Sequence, residues 1–220
     1  MTNTTTTPGT SGRLAGAGRY VLATRPLGRW RTVDLLAAAL LGVAFGVVYW
    51  AFGLVYSGPA AALEAIYPPA QGLVFGPWLL AGVVGGLVIR RPGAALFAEM
   101  TAASVSALIG TKWGATTLVA GFLQGIGAEL GFALFRYAAF GLLAAIVAGA
   151  LSTPFETIYE WYMYWTDWDL VQKLVYGVCF AISGAVLAGG LGFALTRALA
   201  SAGALNAFPP GQEARDRLPG

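Results

Sequence analysis

The sequence predicts an all-α integral membrane protein, a compact bundle of six transmembrane helices with both termini cytoplasmic, and three observations carry that prediction. Only 10% of its 220 residues are charged while 57% are hydrophobic, against about a quarter charged in ordinary soluble domains. The apolar residues gather into six runs close to the roughly 20 residues that cross a bilayer. Once those runs are threaded through a membrane, nearly all basic residues fall on one side.

Taken in order, residues 1–28 are Thr/Gly-rich with scattered Arg and no apolar core, so they read as a flexible cytoplasmic tail and not a cleavable signal. The membrane domain occupies 29–200, with spans at 33–52, 72–89, 93–109, 115–135, 138–154 and 171–196. The third and fifth, at about 17 residues, sit at the short edge of what spans. Asp34 fits the first turn of the first helix, where its charge meets the helix dipole. Arg90-Arg91-Pro92-Gly93 closes the second helix with cations and restarts the third after proline. Residues 201–220, with Pro209-Pro210-Gly211 and mixed charges, read as a flexible cytoplasmic C-terminal tail.

With the amino terminus inside, Arg13, Arg19, Arg25, Arg29, Arg31, Arg90, Arg91, Arg136, Arg197, Arg215 and Arg217 are cytoplasmic, leaving Lys112 and Lys173 outside. Glu64, Glu156, Glu160, Asp167 and Asp169 then face outward. The formal charge of +3 is thus an orientation device, and nucleic acid is no partner. The absence of His removes Ser-His and Cys-His catalysis and histidine metal sites together. Cys179, the one cysteine, leaves no internal disulfide. No phosphate-binding loop is present, so the chain does not use ATP by that route. Asp167 and Asp169 alone are poor grounds for a metal-dependent transferase. No enzyme, cofactor or metal is expected.

Function is sought in the polar residues buried within apolar runs. Glu99, Gln124 and Glu129 lie deep in the hairpin from Gly93 to Arg136, and a carboxylate at membrane depth marks a cavity, partner or substrate by default. Counting about 1.5 Å per residue from the outer turn, Glu99 and Gln124 sit at matching depths of roughly 16 and 15 Å. Glu129, five residues past Gln124, points roughly 140° away, so it either joins the ligand or bonds to a neighbouring helix. Tyr49, Trp50, Trp78 and Trp113 fall near outer helix ends, as interface anchors or ring contacts. The loop at 54–71 is long enough to fold back as a lid. The loop at 154–170 holds Tyr159 among the densest aromatics of the chain, an interfacial belt or a cap over a cavity. Ala38, Gly42 and Gly46 recur every four residues on the first helix, as Gly121/Gly125 and Gly127/Gly131 do on the fourth. Such faces pack closely, within the chain or against a second membrane subunit.

The run Arg90-Arg91-Pro92-Gly93-Ala94-Ala95-Leu96-Phe97-Ala98-Glu99, the turn Gly110-Thr111-Lys112-Trp113-Gly114 and the run from Gly121 to Leu130 resemble the YkoE-type substrate-binding S components of energy-coupling factor (ECF) transporters. The resemblance spans roughly residues 30–200. It implies a six-helix vitamin-binding subunit of a prokaryotic cell membrane, whose ligand is thiamine or its hydroxymethylpyrimidine precursor. It further implies a transmembrane coupling subunit and cytoplasmic ATPases as partners, with Ala38, Gly42 and Gly46 as the natural positions for subunit coupling. The expected substrate-binding residues are Glu99, Gln124, Trp78, Trp113, Glu129, Tyr49 and Tyr159. A stand-alone secondary transporter or channel for a small cationic or aromatic solute is the alternative, although no inverted repeat announces one.

Overall fold

Glycine and alanine, more than any large side chain, decide how the helices of this chain cross. The computed structural model describes residues 20–23 and 26–217, and among them the chain is helical without strands. Helices α1 (Thr32–Val55) and α2 (Ser57–Glu64) are followed by two 3-10 segments, Pro68–Val74 and Gly76–Leu79, that lead into α3 (Leu80–Ile89). Then come α4 (Ala94–Ile109), α5 (Thr116–Leu134), α6 (Leu142–Leu151) and α7 (Pro154–Met163). Helix α8 (Leu170–Ser183) runs through a π-helical stretch, Gly184–Leu191, into α9 (Gly192–Ser201), and α10 (Pro209–Arg215) closes the described chain.

Each expected run is helical, but not every one has spanning length. Four stretches are long and apolar enough to cross a membrane: Thr32–Val55, Thr116–Leu134, Leu142–Met163 and Leu170–Ser201. A fifth exists if Pro68–Val74 and Gly76–Ile89 count as one span bent by 45°. Helix α4 stops at 16 residues because Gly93 and Gly110, at φ 87° and 109°, turn the chain at both ends. The two expected outer loops are largely helical as well. Helix α2 and the first 3-10 segment fill one, while α7 opens the other with Pro154 in its first turn, where proline loses no hydrogen bond.

Helix α4 lies at the centre, flanked by α1, α3 and α5. Its packing residues Ala94, Ala95, Ala98, Ala102 and Ala103 are buried. On α1, a Cβ at Gly42 would stand 2.5 Å from Thr101 Cβ, and one at Gly46 would stand 2.6 Å from Val105 Cβ, so backbones meet directly. The two glycine pairs of α5 divide the labour. Gly121 and Gly125 face α4, whereas Gly127 and Gly131 press on Leu151 and Ala148 of α6. Helix α6 in turn meets the π-helical stretch, where a Cβ at Gly149 would lie 2.2 Å from the Gly184 carbonyl oxygen. Backbone cannot yield there as a side chain can. Gly149→Val is therefore expected to cost about 3 kcal/mol, the upper range for overpacking, read as a lower unfolding temperature in detergent. An unchanged transition would mean that the two helices are free to separate.

One end of the bundle is held by buried ion pairs. Asp34, 0% exposed, accepts hydrogen bonds from Arg91 Nε at 2.7 Å and from Arg31 Nη2 at 2.6 Å, so it is a counter-ion as well as a dipole partner. Arg90 ends α3 in the left-handed region at φ 55°. Its guanidinium reaches Glu213 of α10, donates to the Val21 carbonyl at 2.5 Å and lies 5.1 Å from the Phe140 ring centroid. In the stretch read from sequence as a C-terminal tail, Leu205 and Phe208 are buried and α10 packs on α9 and α3. The physical reason is the demand of Arg90, 3% exposed, for a carboxylate in apolar surroundings. Residues 1–19, most of the expected N-terminal tail, lie outside the described residues.

Candidate functional site

At the other end of α3 and α4 the helices part around a cavity of about 370 Å³. Glu99 of α4 lies at the centre of its polar lining. The first turn of a helix leaves backbone N–H groups without intrahelical partners, and α3 turns one such group towards α4 and one towards α1. Gly82 N–H donates to Glu99 Oε2 at 2.7 Å, while Ala81 N–H donates to the Tyr49 hydroxyl at 2.8 Å. That hydroxyl in turn donates to Glu99 Oε2 at 3.0 Å. The carboxyl is thus fixed by one oxygen at a helix amino terminus, where negative charge is favoured. Its other oxygen, Oε1, has no hydrogen-bond partner among the described residues, although Glu99 is 1% exposed. An orphaned buried acceptor beside a cavity calls for a donor from a ligand.

A second wall comes from α7. Glu156, Tyr159 and Glu160 fall at i, i+3 and i+4, on one helical face, and all three line the cavity. Gln124 of α5 donates through Nε2 to Glu156 Oε2 at 2.6 Å. The Tyr176 hydroxyl of α8 donates to Glu160 Oε2. Aromatic rings close the mouth. Trp78 meets Trp113 edge to face at 5.2 Å, and Tyr56 lies 5.0 Å from Trp78 and 5.4 Å from Trp113. Above these rings sits the Lys112 ammonium, 4.5 Å from the Tyr56 centroid and 4.8 Å from that of Trp113. Three carboxyls line the cavity, and no Lys or Arg does so among the described residues. Such a lining suits a ring that carries amino donors or positive charge.

Comparison with known proteins gives the same direction. Residues 33–155 match the family described as the permease component of an ABC-type cobalt transport system. A Bacillus subtilis (strain 168) protein named as an HMP/thiamine permease, YkoE, is 32% identical over 190 residues, which cover 86% of this chain and 94% of that one. A crystal structure of an S component of an ECF transporter superposes with a TM-score of 0.78 at 32% identity, covering 86% of this chain and 95% of the other. This chain belongs to the YkoE-type S components of ECF transporters. It is a transport component and not an enzyme.

In this S component six of the seven expected substrate residues come together: Glu99, Gln124, Trp78, Trp113, Tyr49 and Tyr159 all line the cavity. Glu129 does not. Its carboxylate accepts from Gly93 N–H at 2.6 Å, Ala95 N–H at 3.0 Å and Leu96 N–H at 3.3 Å, and so caps the amino terminus of α4. The Tyr137 hydroxyl also donates to it at 2.5 Å. Burial first, and then that bond, pushes the Tyr137 phenol well above its usual range. Glu129→Ala should cost about 2 kcal/mol of stability, as loss of a helix cap does, while ligand affinity stays within about twofold. A large affinity loss with stability intact would return Glu129 to the site.

The small-residue face of α1 packs inside the chain. Ala38, Gly42 and Gly46 are buried against other parts of it, the two glycines directly against α4. Glu156 and Glu160 were missed as site residues because 154–170 reads as a loop, although the i, i+4 spacing after Pro154 is a helical signal. Asp169 turns out to cap α8, accepting from Gln172 N–H at 2.8 Å.

Proposed function

We propose that this S component binds thiamine or its hydroxymethylpyrimidine precursor from the extracytoplasmic side and serves an ATP-driven ECF importer. A coupling subunit and cytoplasmic ATPases supply the energy that this chain has no motif to supply. The reading has the chain pass several times through a prokaryotic cell membrane with both termini cytoplasmic. Its support is the uneven spread of basic residues: Arg31, Arg90 and Arg91 gather at one end, beside Asp34 and Glu213, whereas no Lys or Arg among the described residues lines the cavity.

The observation that carries the ligand assignment is the free Oε1 of Glu99 inside an aromatic cavity. The aminopyrimidine ring common to both candidate ligands offers an amino donor to that oxygen. Trp78, Trp113 and Trp165 line the cavity, so indole fluorescence reports on its filling. Titration of folded, ligand-stripped protein with thiamine and with hydroxymethylpyrimidine should give a saturable change in emission. No response to either ligand, with no binding by native mass spectrometry, would refute the vitamin assignment.

A further inference from the structure

Glu156 and Glu160 form a pair that the depth of the α4–α5 hairpin does not explain. They stand one turn apart on α7, Glu156 buried and Glu160 half-buried at the cavity wall, where two like charges disfavour each other. The groups facing them from every side are known. Helix α4 contributes Glu99, a third acid; α5 contributes the neutral Gln124; α8 contributes Tyr176; α1 contributes Tyr49, and its C-cap is Tyr56. Tyr159 and Tyr164 complete the titratable lining. The nearest cation of the outer turn, Lys112, is already held on the rings of Tyr56 and Trp113. Charge balance must therefore come from protons or from a ligand. Each acid receives only neutral donors among the described residues, two on Oε2 of Glu99 and one each on Glu156 and Glu160, and a hydrogen bond does not cancel charge. In an aromatic cavity, three acids without a cation cannot all stay ionised.

We infer that the empty cavity holds a proton shared by Glu156 and Glu160, and that a cationic ligand enters in exchange for it. On binding, the carboxyl O–H bond breaks, the proton leaves to water, and the carboxylate that remains faces the ligand's positive charge. Glu99, with its unpartnered Oε1, reads the amino donor in the same event. The inference rests on the thiamine-type reading of the cavity and adds to it a distinction between the two ligands. Thiamine carries a permanent cation on its thiazolium, whereas hydroxymethylpyrimidine is neutral. Thiamine affinity therefore rises with pH by about tenfold per unit for each proton released, because binding and proton release are linked. Affinity for hydroxymethylpyrimidine stays flat above the pH at which the pyrimidine itself titrates.

The test is titration calorimetry on the full chain at one pH in phosphate and in Tris, buffers with very different ionisation enthalpies. The expected result is a thiamine heat that differs between buffers by the equivalent of about one proton released per ligand, with buffer-independent heat for hydroxymethylpyrimidine. Glu160→Gln, which keeps the shape but removes one acid, should abolish the release and flatten the pH dependence. Infrared difference spectroscopy on the unaltered chain gives a readout independent of that variant: the band of a protonated carboxyl should disappear when thiamine binds. Saturable thiamine binding with identical heats in both buffers and no loss of that band overturns the exchange and leaves the vitamin assignment standing. No binding of either ligand by folded protein overturns both.

Discussion

Glu99→Gln is expected to weaken thiamine binding by about thirtyfold while leaving the fold intact. The amide oxygen of Gln can still accept from Gly82 N–H and from the Tyr49 hydroxyl, the two donors that hold Oε2. What changes is the other position, where an acceptor without a partner becomes an NH2 donor facing the ligand's own donor. Hydrogen bonds to charged groups contribute about 1.5–3 kcal/mol, and about 2 kcal/mol corresponds to thirtyfold in affinity. Glu99→Ala should be worse on both counts, because it also orphans the Gly82 N–H in the first turn of α3. Fluorescence titration beside a thermal scan separates the two effects. Unchanged affinity in a folded Gln variant would remove Glu99 from the site.

Glu213→Ala is expected to lower stability by about 3 kcal/mol, the scale on which breaking a buried ion pair leaves a charge uncompensated. Arg90 is 3% exposed and Glu213 is its carboxylate partner. Without it, the guanidinium keeps, among the described residues, the carbonyls of Val21 and Leu87 and the face of Phe140. Val21 N–H also loses its acceptor, since it donates to Glu213 Oε1 at 2.7 Å. The loss should appear as a lower unfolding temperature and earlier proteolysis after Ala200, with ligand affinity little changed because Arg90 lies at the opposite end of α3 from the cavity. A variant as stable as the parent would show that α10 contributes no anchoring.

These two residues also show what a sequence makes legible. Glu99 stood out because a lone acid in an apolar run is costly wherever it sits, and depth counting along two helices set it level with Gln124; both line the cavity, with Gln124 bonded to Glu156. The angle along α5 separates Glu129 from Gln124 but leaves a ligand role open, and the structure uses its carboxylate as the cap on α4. Glu213 gave no such signal. Its value depends on Arg90, 123 residues away, and a charge near a chain end looks solvated until the fold buries it. Glu156 and Glu160 were visible as letters but hidden by their aromatic setting, which resembles an interfacial belt. The glycines of α1 posed a different problem: spacing establishes that a small-residue face packs closely, not against what, and here α4 takes it. Helix length alone does not carry the sixth span, because hydropathy does not register the left-handed glycines that cut α4 short.

The most direct test of the central claim is a structure of this S component with thiamine bound. Ligand density should fill the cavity between α4, α5 and α7, with a donor on the pyrimidine within hydrogen-bond distance of Glu99 Oε1 and ring contact with Trp78 or Trp113. Thiamine seated elsewhere, or in the cavity with Glu99 Oε1 still unpartnered, would contradict it.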